Sequence, residues 1–108
     1  VGVPRNPVKA LRAVSASKGA WIAVTDEEIL DAMRVLGRTE GIFGEPAGVT
    51  ATAGVRRAVR EGIIRAEETV TVISTGSGLK DVKNALRAAG SSTLCEPDLA
   101  ALDNSGIL

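Results

Sequence analysis

Apolar residues recur along the chain with two different periods, and the switch between them marks out the elements. Val8, Leu11 and Val14 repeat at helical spacing behind Asn6, a capping residue, and Pro7, which suits a first helical position; Gly19 closes the segment. Ala20-Trp21-Ile22-Ala23-Val24 is a continuous apolar run, the pattern of a strand buried on both faces. Thr25-x-x-Glu28 then reads as a capping box, opening a helix with Ile29, Met33 and Leu36 along its core stripe. Gly41-Ile42-Phe43-Gly44 breaks that helix. Glu45-Pro46-Ala47-Gly48 starts the next, which turns Val49, Ala53 and Val59 inward and stops at Gly62.

A second β-branched run, Thr69-Val70-Thr71-Val72-Ile73-Ser74, predicts another buried strand, and Leu79, Val82 and Leu86 form the stripe of a helix ending near Gly90. Ser91 to Glu96 reads as a linker and Pro97 to about Leu102 as a short terminal helix, so that residues 91–108 form a tail on a single unit spanning 1–108. Strands alternating with helices predict an α/β fold with a doubly wound parallel sheet. Two strands cannot make a sheet covered on both faces, and the chain begins at Val1. The expectation is therefore the closing, C-terminal fragment of a larger domain.

Charge and composition narrow the function. Of 108 residues, 13 are basic and 13 acidic, which gives no electrostatic basis for binding nucleic acid or an anionic membrane. Trp21 and Phe43 are too few for base stacking. No apolar stretch reaches the roughly 20 residues that span a bilayer. There is no histidine, so a serine or cysteine triad lacks its ordinary base, and a metal site lacks imidazole. Cys95 reads as a reduced thiol, in keeping with a cytoplasmic protein. Arg56, Arg57 and Arg60 could form a basic patch, or a solvated face beside Glu61, Glu67 and Glu68. Asp26, Glu27 and Asp31 sit at a helix entry, where they complement the dipole.

Chemistry concentrates in Thr75-Gly76-Ser77-Gly78-Leu79-Lys80-Asp81, which follows the second apolar run. A hydroxyl, two glycines and a helix start at the carboxyl end of a strand stand where open α/β sheets bind ligands, although any βα corner has the same outline. Thr75 is the first residue to suspect. A phosphate loop is the rival reading, but the spacing is not that of a Walker motif, and Asp81 stands where its hydroxyl belongs. Glu45, between a glycine turn and a proline-led helix, either caps that helix or belongs to a site.

These segments carry a resemblance. Gly41-Ile42-Phe43-Gly44-Glu45-Pro46-Ala47-Gly48 resembles the Gly-Ile-Phe-x-Glu-Pro-Ala-Ser/Gly segment of the threonine synthase family, fold type II pyridoxal-phosphate enzymes related in fold to the tryptophan synthase β chain. Thr75 to Asp81 resembles the same family's Thr-Gly-x-Gly-Leu-Lys-Asp. Gly2-Val3-Pro4-Arg5-Asn6 is similar to its Gly-Asn-Pro segment, with Val3 replacing an asparagine and Pro7 a common tryptophan. Glu-Pro-Ala-Gly alone also occurs in threonine dehydratases and serine racemases.

The resemblance implies a cytoplasmic enzyme of threonine biosynthesis that converts O-phosphohomoserine, a phosphorylated amino acid, to threonine and phosphate. It implies a hydrogen bond from the threonine matching Thr75 to the cofactor's pyridine nitrogen, close approach of the backbone at Gly76 and Gly78, and a ring-side wall that includes Glu45. The lysine that holds the cofactor and the glycine-rich phosphate loop belong to the family's amino-terminal part. No catalytic residue is therefore expected in this chain, which should be inert and should not retain pyridoxal phosphate by itself. Its unpaired strands predict a homodimer. The alternatives are a fold type II serine/threonine dehydratase and a non-catalytic, stand-alone interaction module.

Overall fold

The computed structural model describes residues 3–92, 94 and 96–105. Five α-helices follow one another: α1 (Pro7–Ala16), α2 (Asp26–Glu40), α3 (Pro46–Arg60), α4 (Val82–Ala89) and α5 (Leu99–Asn104), with a 3₁₀ turn at Gly78–Lys80 ahead of α4. Cys95 lies outside the described residues.

Helix α2 begins with the capping box its sequence predicts. The Glu28 N–H donates to Thr25 Oγ1 at 3.2 Å, and the Thr25 N–H donates to Glu28 Oε2 at 2.8 Å. It ends at Gly41, whose φ of 66° lets the Ile42 N–H reach back to the Leu36 carbonyl at 3.2 Å. Helix α1 closes with the same pattern, but there Lys18 rather than a glycine takes the left-handed position, at φ 54°. No residue of α1 is buried, and Asn6 makes no side-chain capping bond.

The core is the seam where α2 meets α3 and α4. Leu30, Met33, Val49 and Ala88 are buried together, with Ile29, Leu36 and Ala85 packed against them. Alanines line much of it: Ala53 and Ala58 are buried on α3, whereas Val59 is exposed. On α4 the inward residues are Ala85 and Ala88, and Leu79, Val82 and Leu86 face solvent. The expected stripe is therefore on the solvent side, and alanines make the α4 contribution to the seam.

Polar contacts fix the same seam. Arg56 pairs with Asp31 at 2.7 Å, and Arg57 and Arg60 both reach Glu28, at 3.4 and 2.5 Å. The three arginines thus bind α3 to α2 rather than forming a free basic face, although Arg57 also meets Glu61 at 2.7 Å. Arg34 Nε donates to the Ala88 carbonyl at 2.7 Å, satisfying the C-terminal end of α4.

The expected parallel sheet is not seen in this chain. Among the described residues there is no strand, only one isolated antiparallel bridge between Gly44 and Ser77. Residues 20–24 and 69–74 have no regular structure, and Trp21 and Ile73 are 63% and 76% exposed instead of buried on both faces. A strand is defined by its ladder, and neither run has a neighbouring strand to pair with.

Glu28 titrates below the usual carboxylate range, chiefly because it accepts the Thr25 N–H and then because of Arg60 and Arg57. A carboxyl depressed on folding stabilises the fold above its unfolded value, and that contribution disappears as pH falls through the lower folded value. Helix content should therefore fall as pH drops below the ordinary glutamate value of about 4.3 and on through the lower folded value, and Glu28→Gln should flatten that acid limb. Far-ultraviolet circular dichroism during acid titration tests this; identical limbs for the two proteins would contradict it.

Candidate functional site

Two glycine-rich segments far apart in sequence lock together beside the N-terminus of α3. The Glu45 N–H donates to the Gly76 carbonyl at 3.1 Å, and the Gly78 N–H donates to the Phe43 carbonyl at 3.0 Å. These bonds flank the Gly44–Ser77 bridge, so residues 43–45 and 76–78 run side by side.

The glycines are what permit the approach. A Cβ at Gly48, in the first turn of α3, would overlap the Thr75 carbonyl; one at Gly76 would overlap the Glu45 carboxylate; one at Gly78 would overlap the Phe43 ring. Gly76 also has φ 72°, a left-handed conformation that other residues rarely adopt. The spaces that Gly76 and Gly78 leave are taken by the side chains of Glu45 and Phe43.

Thr75 sits on this frame with its side chain exposed. Among the described residues its hydroxyl has no hydrogen-bond partner, so it is free to donate to a ligand. Glu45 does not cap α3 through its side chain. Its carboxylate turns instead to Lys80, whose Nζ lies 3.1 Å from Oε1, and the Glu45 side chain is only 16% exposed. Sequence reasoning missed this pair, since nothing local links charges 35 residues apart.

The phosphate-loop reading finds no support in this geometry. Leu79 and Lys80 belong to a single 3₁₀ turn, and the N-terminus of α4 is engaged by Asp81, which accepts the Asn84 N–H at 3.2 Å and its Nδ2 at 2.8 Å. Those two bonds from Asn84 hold the Asp81 carboxyl below its ordinary range. A second anion there would meet a carboxylate already in place.

A family model described as pyridoxal-phosphate dependent enzyme matches residues 1–76. The chain is 45% identical over 102 residues to a threonine synthase of Methanocaldococcus jannaschii, covering 94% of this chain and 25% of that protein. It is 41% identical over 102 residues to a threonine synthase of Methanosarcina acetivorans, again 94% of this chain and 25% of the relative. A threonine synthase of Mycobacterium leprae is 41% identical over 87 residues, 81% of this chain and 24% of its own length. The chain therefore spans about a quarter of the length of these relatives.

Proposed function

Because the chain belongs to the pyridoxal-phosphate dependent enzymes, a fold type II family, we propose that it forms the ring-nitrogen side of the cofactor site in a threonine synthase. The observation that carries this reading is the exposed Thr75 hydroxyl, without a hydrogen-bond partner among the described residues, held on the Gly48, Gly76 and Glu45 frame. Identities of 40–45% to threonine synthases support it.

The donor set at this end fits the pyridine nitrogen of pyridoxal phosphate. A threonine hydroxyl offers one neutral hydrogen bond, and the nearby carboxylate is already paired with Lys80. When bound, pyridoxal phosphate supplies an electron sink for carbanions formed on an amino acid. Thr75 would orient the ring without placing a full negative charge beside its nitrogen, leaving that nitrogen largely unprotonated. That balance suits elimination of phosphate and addition of water, which together turn O-phosphohomoserine into threonine and inorganic phosphate.

The remaining parts of the reading concern the full-length protein. There, residues 20–24 and 69–74 would join a doubly wound parallel sheet, because each run is apolar and has bare backbone edges to offer. No helix among the described residues is long and apolar enough to cross a membrane. A cytoplasmic homodimer acting on a phosphorylated amino acid completes the proposal. The chain by itself should not retain pyridoxal phosphate, since the cofactor lysine and phosphate loop are expected outside it.

The test is product analysis with the full-length protein. Incubation with O-phosphohomoserine should yield threonine and phosphate in equal amounts. Ammonia released from serine or threonine, with no phosphate from O-phosphohomoserine, would assign the protein to the dehydratases instead. No turnover of either substrate with cofactor bound would favour the interaction module.

A further inference from the structure

We propose that Lys80 is a positioning residue: its ammonium holds the Glu45 carboxylate across Gly76 and thereby sets where the adjoining Thr75 presents its hydroxyl. The inference deepens the reading above and rests on Thr75 meeting the cofactor.

Glu45 grips Gly76 in two ways. Its N–H donates to the Gly76 carbonyl at 3.1 Å, and its side chain occupies the space that a Cβ at Gly76 would need. The Glu45 side chain in that position is 16% exposed. Among the described residues, Lys80 is the cation that pairs with it, at 3.1 Å. Lys80 itself is fixed by the 3₁₀ turn, its N–H donating to the Ser77 carbonyl at 3.0 Å. The pair thus closes a loop in which residues 76–80, directly after Thr75, are held by Glu45 at both the backbone and the side chain.

The contribution is to geometry and not to stability. Lys80 is 64% exposed, and ion pairs of that exposure add little to the folding free energy. A displaced Glu45 would nevertheless free Gly76 and, with it, the residue that meets the cofactor. Small displacements at a reacting centre cost far more in rate than in stability.

The experiment is a double-mutant cycle on the full-length, cofactor-loaded protein, reading kcat, KM, the cofactor's visible absorption and the melting temperature. Lys80→Met should lower kcat about tenfold with KM changed less than about twofold, and should shift the absorption band. The melting temperature should stay within about 2 °C of the parent. Lys80→Arg, which keeps the charge, should recover kcat to within about threefold. In a Glu45→Gln background, adding Lys80→Met should cost less than about twofold more, because Lys80 acts only through Glu45. A full tenfold loss in that background, an unchanged kcat and band in the single variant, or a collapse of melting temperature would each overturn the proposal. Failure of the wild-type protein to convert O-phosphohomoserine would instead defeat the threonine synthase reading, and the absorption bands of the same five proteins would still decide the role of Lys80.

Discussion

Gly76→Ala should all but abolish activity of the full-length protein, lowering kcat by about 100-fold or more while leaving the helices intact. Two effects combine. At φ 72° a residue with a Cβ costs about 1–2 kcal/mol. The same Cβ would overlap the Glu45 carboxylate, so that side chain must leave and its pairing with Lys80 is broken. Gly62→Ala separates the two effects, because Gly62 has nearly the same φ, 71°, with nothing near the position of its Cβ. That variant should lose some stability and keep its kcat. Circular dichroism and steady-state kinetics on both proteins check this. Equal losses of kcat would mean that backbone strain alone matters and that the Glu45 contact does not.

Thr75→Ala carries the second large effect. The substitution removes a hydroxyl and a methyl from an exposed position and breaks no hydrogen bond within the described residues, so folding should be little affected. In an ordinary setting such a hydrogen bond is worth about 0.5–1.5 kcal/mol, but at a reacting ring it should cost about 10- to 100-fold in kcat. Thr75→Ser keeps the hydroxyl and should keep most of the rate. Kinetics of the two variants, with their cofactor spectra, test the assignment; an alanine variant with unchanged kcat and spectrum would remove Thr75 from the site.

Legibility followed the range of the forces involved. The capping box at Thr25 and Glu28, the glycine stops at Gly41 and Gly62 and the proline start of α3 were readable because each is settled within one helical turn. The inward face of α4 was misread for a different reason. Size and hydrophobicity favour Leu79, Val82 and Leu86 as core, but α4 is turned with Ala85 and Ala88 towards α2, and that rotation is a tertiary quantity. The two predicted strands fail similarly: their residues have the right propensity, yet a strand exists only with a partner to complete its ladder.

The candidate site was legible as two separate motifs and illegible as one object. The resemblance implies approach of Gly76 and Gly78 to the cofactor ring and gives no reading of what the glycines meet within the chain. Gly48 faces the Thr75 carbonyl, Gly76 the Glu45 carboxylate and Gly78 the Phe43 ring. Resemblance supplied a role for Thr75; only the fold joined Glu45 to Lys80 and turned the arginines of α3 onto Glu28 and Asp31. Long-range charge pairing leaves no local trace in sequence.

The central claim is that the Thr75 hydroxyl meets the pyridine nitrogen of the cofactor. Nitrogen-15 NMR of the full-length protein loaded with ring-labelled pyridoxal phosphate reads that atom directly. The expected resonance lies in the unprotonated range, moves when Thr75 is replaced by alanine and stays nearly in place when it is replaced by serine. A protonated ring nitrogen whose resonance is the same in all three proteins would contradict it.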